Sequence, residues 1–304
     1  MRFRTVTVGE CYPFDVPRSL DFFGRHGDDL IDRWDGTVFT RTAPYRDTVV
    51  PLAVTASPAG AGRTITVTGP HHMTASILAD LARNQFLYDG EVLRRLACRD
   101  PAFAALLPEY SDLAILAQRN LLHALVRCIS AQQVNLAWAA VTRARLTQLV
   151  GRELVIGDRH VYTLDAEQLA DTPVEALRAL QFSTRKAQYL IAAAAAIASG
   201  TISVGTLAAS TDEDALNQLT TLHGIGTWSA EWILIRTLGR SRVAAGDLVV
   251  RKAVGWLYNI AVPTEAEVRS ATAHWGPAAA MAQTALLEAY QHRRLSRPRD
   301  NAAN

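Results

Sequence analysis

Residues 221–258 constrain this chain more than any other stretch. One helix ends there, the backbone breaks at Gly224-Ile225-Gly226, and a second helix resumes with Trp228 and Trp232 four residues apart on a single face. That is the pattern of a helix–hairpin–helix. Two glycines allow a tight turn and the close approach of something large, and they leave the amides opening the second helix to an anion such as a nucleic-acid phosphate. Taken alone, G-x-G between helices is an ordinary tight turn. Its sequel adds meaning: Arg240 and Arg242 follow, then Gly246-Asp247, then an apolar helix bearing Arg251 and Lys252. Asp247 reads most simply as the N-cap of a helix starting at Leu248, yet it is also a lone carboxylate among four cations.

The segments LHGIGTWSAEW and AAGDLVVRKAV resemble the helix–hairpin–helix superfamily of DNA base-excision glycosylases. The tryptophan after the hairpin resembles its 3-methyladenine DNA glycosylase II branch, the AlkA type. The resemblance implies that Asp247 is the catalytic carboxylate and that Gly224, Gly226, Thr227, Arg240 and Arg251 meet the DNA backbone. It also implies that the main-chain carbonyls of Thr220, Leu222 and Ile225 hold a monovalent cation, Na or K, with no other cofactor required. His223 stands where the family usually has proline; it reads as a solvent-exposed turn residue, with a phosphate contact when protonated as the alternative.

The motif SAQQVN at 130–135 resembles the family's wedge loop, which makes Gln133 the side chain that fills the space left by a flipped nucleotide. The AlkA type has an apolar wedge there, so Gln132 and Gln133 simply facing solvent at a helix junction is the other reading. The resemblance further implies that Phe22, Trp228, Trp232 and Tyr290 line an electron-rich cleft for a cationic alkylated purine. Each cation–π contact is worth about 0.5–2 kcal/mol. Core packing is the competing reading of these aromatics. Bifunctional relatives have a lysine at the position of Trp228 for Schiff-base attack on the sugar, so tryptophan here implies base release that leaves the abasic site uncut.

Composition bounds the rest. A net charge of +2 over 304 residues confines any polyanion-binding surface to local patches. Cys11, Cys98 and Cys128 are far apart and lack C-x-x-C spacing, which argues against a disulfide framework, a zinc site or an iron–sulfur cluster. No apolar signal core or membrane-length run is present. The expectation is a cytoplasmic, nucleoid-associated monomer, away from membranes, acting on double-stranded DNA containing damaged bases.

The fold class expected is α+β. Residues 1–111 form an N-terminal unit with an antiparallel sheet and a connecting segment, 112–292 an all-helical catalytic region, and 293–304 a basic, disordered tail. Strands are expected over 3–8, 37–41, 49–55 and 64–68, broken by the loop 58–62, and helices over 18–27 and 74–86. Tyr12-Pro13-Phe14-Asp15 is the best local match to the AlkA-type N-terminal domain. Further along, helices are expected from Asn120 to about Ser130, from about Asn135 to Val150, from Ser183 to Ser199, and from Thr211 into the hairpin, with a capping box at Thr172-Pro173-Val174-Glu175. The expected activity is monofunctional excision of alkylated bases. The alternatives are excision of deaminated or oxidised purines, and a non-catalytic DNA-binding protein that uses the hairpin for phosphate alone.

Overall fold

The computed structural model describes residues 2–8, 13–56 and 64–296, excluding the side chains of 294–296. Cys11, Tyr12, the break at 58–62 and the tail beyond 296 lie outside the described residues. Strands β1 (Phe3–Val8), β2 (Asp32–Trp34), β3 (Val38–Tyr45), β4 (Thr48–Ala56) and β5 (Ile65–Pro70) form one antiparallel sheet in the order β1-β5-β4-β3-β2. Two prolines survive inside it for a geometric reason. Pro44 lies past the β2-paired part of β3, which ends at Arg41, and Pro51 lies outside the β5-paired part of β4, which begins at Ala53, so neither removes a donor from both sides of a ladder.

The helix Val16–Gly24 opens two residues earlier than expected, because the Asp15 side chain accepts the Arg18 amide at 2.9 Å and Pro17 occupies the first turn. The helices Leu121–Ala131, Leu136–Val150, Thr184–Ala198 and Asp212–Thr220 are capped by Asn120, Asn135, Ser183 and Thr211, as their sequences require. The capping box at Thr172 does not form. Thr172 Oγ1 donates instead to Gln168 O at 2.7 Å, and Pro173 is itself the cap of Val174–Ala179. The helical region also contains a β-hairpin, Gly151–Ile156 against Arg159–Leu164, turning at Gly157-Asp158 with Gly157 at φ +63°. Its two-residue Gly-Asp loop between β-branched runs is a hairpin signature.

The chain divides into two compact units, 1–87 with 116–240, and 88–115 with 241–304. In the first, the helices pack around Leu122, Leu125, Ile129, Leu190, Leu219 and Ile233. A buried ionic network ties its sheet to its helices: Asp32 meets Arg41 at 3.0 Å and Arg127 at 2.7 Å, and Asp29 meets Arg127 at 2.8 Å and Arg143 at 3.0 Å. Such charges are tolerated inside because each carboxylate has two guanidinium partners or a further hydrogen bond, here Gln118 to Asp32 at 3.0 Å. The second unit packs around Leu96, Phe103, Val254, Trp275 and Leu286.

Candidate active site

The hairpin forms as its glycines dictate. The helix Asp212–Thr220 ends, Ile225 folds back with its amide on Leu222 O at 3.0 Å, and Thr227–Leu238 begins. Gly224 sits at φ +86°, and a Cβ there would run into the Tyr189 ring, with Cε2 only 2.7 Å away. Gly226 differs: its φ is −90° and a Cβ would meet nothing within 4 Å. Neither strain nor packing in the free chain demands glycine at 226. It is the N-cap of Thr227–Leu238 and supplies no side-chain acceptor, so the first-turn amides there lack the capping bond found at Asn120, Asn135, Ser183 and Thr211. Gly226 and Thr227 are exposed. Thr220, Leu222 and Ile225 lie in this turn; their carbonyls are hard oxygen donors of the kind an alkali cation takes, and Leu222 O already accepts the Ile225 amide on one lone pair.

The SAQQVN loop joins Leu121–Ala131 to Leu136–Val150 beside the hairpin. Gln132, read from the sequence only as facing solvent, ties the two together by donating Nε2 to Gly224 O at 2.8 Å. Gln133 stands exposed at the tip with φ +54°, a conformation that costs a non-glycine residue about 1–2 kcal/mol. Lys186 Nζ and the Arg143 guanidinium secure the root of the loop at Ser130 O and Oγ, at 2.9 and 3.0 Å.

Trp228 and Trp232 are partly buried on the second hairpin helix. The Trp232 ring carries the Arg236 guanidinium at 4.7 Å, and Phe23 carries the same group at 5.6 Å. Arg236 remains a cation although burial pulls its pKa down to about 10. The N-terminal aromatic that shares a partner with Trp232 is thus Phe23, on the buried face of Val16, Ser19 and Leu20, whereas Phe22 is covered by Arg25 at 4.3 Å. The helical spacing of Val16, Leu20 and Phe23 was the signal that picks Phe23. Burial pushes the nearby Cys128 thiol up to about 12, so it is no nucleophile at neutral pH.

Asp247, Arg251 and Tyr290 belong to the second unit. Asp247 caps Leu248–Tyr258, its Oδ1 accepting the amides of Val249 at 2.7 Å and Val250 at 3.1 Å. The carboxylate is half-buried and is followed by exposed Leu248 and Val249 rather than sunk in the core. The simple N-cap reading is therefore correct, and it coexists with an accessible carboxylate. Tyr290 lies with its ring centroid 6.1 Å from Trp256, and the two share a cavity of about 320 Å³ with Lys252 and Arg293.

Arg240 folds onto its own unit: its guanidinium donates to Ala208 O and Ser210 O, both at 3.1 Å, and meets Asp212 at 3.3 Å, so it closes the end of the helix Val204–Ala209. Arg251 likewise spends Nε on Pro263 O at 2.7 Å. A guanidinium has five N–H donors, so these carbonyl bonds leave each side chain further donors.

The first unit contains Trp228, Trp232, Phe22 and Gln133 with the hairpin, and the second contains Asp247. DNA-3-methyladenine glycosylase 2 of Escherichia coli (strain K12) is 30% identical over 154 residues, 50% of this chain and 51% of that protein. The chain spans about half the length of the curated relatives it matches. The solved 3-methyladenine DNA-glycosylase from Archaeoglobus fulgidus has the same fold, with a TM-score of 0.79 at 22% identity over 95% of this chain and 98% of that one. So does the Clostridium acetobutylicum 8-oxoguanine glycosylase/lyase solved with double-stranded DNA, with a TM-score of 0.72 at 17% identity over 93% of each chain. The description "HhH-GPD superfamily base excision DNA repair protein" matches residues 126–278, half of the chain and the part that includes the hairpin, and the chain accordingly belongs to that superfamily.

Proposed function

We propose that this chain is a monofunctional DNA glycosylase that hydrolyses the N-glycosidic bond of alkylated bases in double-stranded DNA during base excision repair. The observation that carries the reading is the Asp247 carboxylate, held in place by its own helix cap and left accessible in a chain whose hairpin turn matches the superfamily. The hairpin's first-turn amides suit a DNA phosphate, and the carbonyls of Thr220, Leu222 and Ile225 suit an alkali cation that adds positive charge beside it. Gln133, exposed on a strained backbone, suits insertion into the stack where a nucleotide has left it.

An alkylated purine is already cationic and needs no general acid to leave. The barrier then lies in the oxocarbenium-like sugar, which the Asp247 carboxylate stabilises electrostatically, with activation of a water as its second task. Trp228 has no amine to form a Schiff base, so the product is an intact strand with an abasic site. The chain acts as a monomer in the cytoplasm; among the described residues no helix is long and apolar enough to cross a membrane.

A second reading, release of neutral deaminated or oxidised purines, draws on one observation. The Arg236 guanidinium on Trp232 spends that ring's attraction for cations and repels a cationic base. A panel of duplexes bearing 3-methyladenine, 7-methylguanine, hypoxanthine and 8-oxoguanine, given to wild type and Asp247→Asn, decides. Release of the methylated bases by wild type alone, with both proteins binding DNA, is expected. Near-normal release by Asp247→Asn refutes the role of the carboxylate.

A further inference from the structure

The segment that delivers Asp247 is held from below by one buried side chain. Val243, Ala244 and Ala245 are buried, so their main-chain polar groups must find partners inside the second unit. Ala245 N bonds Val243 O at 2.9 Å, and Asp247 N bonds Ala244 O at 3.0 Å. The Ala244 amide has no such local carbonyl; it donates to Gln283 Oε1 at 2.7 Å. Gln283 is 1% exposed and sits on Ala279–Ser296 among Ala279, Ala282 and Leu286, where a nonpolar residue would pack as well.

A single residue, Ala244, therefore connects Gln283 to Asp247: its N–H donates to Gln283 Oε1, and its carbonyl accepts the Asp247 amide. Downstream, Asp247 O accepts Arg251 N at 2.9 Å and Oδ1 takes two more amides, so Asp247 is fixed through its own N, O and Oδ1. Gln283 reaches this loop from a separate helix, Ala279–Ser296. We propose that Gln283 is a positioning residue for glycosidic bond cleavage, setting the place of the Asp247 carboxylate through Ala244, whose N–H and C=O make the two bonds. The inference rests on the reading of Asp247 given above.

Displacing a reacting group by about 1 Å costs on the order of 100-fold in rate. Gln283→Met keeps the volume and removes the acceptor; it is expected to lower the single-turnover rate of base release about 10- to 100-fold while DNA affinity changes less than threefold. The loss should be of the same size for every base the wild type releases, since a misplaced carboxylate fails all leaving groups alike. Gln283→Glu retains an oxygen for Ala244 and is expected to stay within about fivefold of wild type. Amide hydrogen exchange on the wild-type chain supplies a readout free of activity: the Ala244 and Asp247 amides should be protected, and both should exchange faster in Gln283→Met.

A Met variant as active as an active wild type overturns this inference and leaves the glycosylase reading standing. A loss confined to one base overturns it too, since the side chain would then contact that base instead of the loop. So do unprotected Ala244 and Asp247 amides in wild type, and so does a Glu variant no better than Met. A wild-type chain that releases no base from any duplex removes the role of Asp247 and this inference with it.

Discussion

Gly224 and Gly226 occupy one turn for different reasons, and substituting each separates folding from DNA contact. At φ +86°, alanine at 224 pays about 1–2 kcal/mol in backbone strain. Its Cβ also overlaps the Tyr189 ring, and overpacking of this kind costs about 1–3 kcal/mol. Gly224→Ala should therefore destabilise the chain by about 2–5 kcal/mol, read as a lowered midpoint in urea at unchanged slope. Removing the ring isolates the two parts: in a Tyr189→Ala background the same substitution should cost only the strain, giving a coupling energy of about 1–3 kcal/mol. Gly226→Ala meets empty space at φ −90° and loses only the difference in capping preference, below about 1 kcal/mol. Its effect should appear in DNA affinity instead, where a methyl group stands between the helix amides and a phosphate. A cycle with no coupling, or a Gly226→Ala chain that loses stability but no affinity, refutes the division.

Two further outcomes follow from the geometry of the site. Asp247→Asn should leave stability within about 0.5 kcal/mol, because asparagine caps a helix as well as aspartate does, and calorimetry on the variant that loses base release checks that the loss is chemical. Arg240→Ala should destabilise by about 1–2 kcal/mol through the freed carbonyls of Ala208 and Ser210 without altering the salt dependence of DNA binding; a slope reduced by about one would restore Arg240 as a phosphate contact.

Stability should fall on acidification in two stages. His123 is buried and neutral, its Nε2 accepting Leu164 N at 3.1 Å and its pKa pulled down to about 4 by burial, so the unfolded chain binds the extra proton and stability declines as pH falls from about 6.5 to 4. Asp32 is pulled the other way from its burial by Arg41 and Arg127, to about 2, and its contribution, present above its unfolded value near 3.8, is lost as pH falls toward 2. Urea midpoints across pH 7 to 3 measure both, and a flat profile between 6.5 and 4 would contradict the neutral His123.

Local rules carried the sequence reading a long way. Side chains that bond their own neighbours act over three or four residues, so Asn120, Asn135, Ser183 and Thr211 announced their helices, and Gly224 with Gly226 announced the turn. The Gly157-Asp158 hairpin obeyed a rule of equal range but was hidden by the helical segments on either side of it.

What sequence alone could not decide was where each long side chain would find its partner. Arg240 and Arg251 stand near the motif in sequence, and the fold alone decides which carbonyls each of them bonds. Helical spacing puts Phe23 on the buried face, but that its ring meets Arg236 while Phe22 meets Arg25 is decided by the fold. Gln132 reaching Gly224 across 92 positions, and Gln283 reaching Ala244 across 39, are invisible in one dimension. Capping and turn chemistry are settled within a turn of chain, whereas guanidinium and amide groups reach several ångströms in any direction and are claimed by whichever carbonyl, carboxylate or amide the tertiary fold sets beside them.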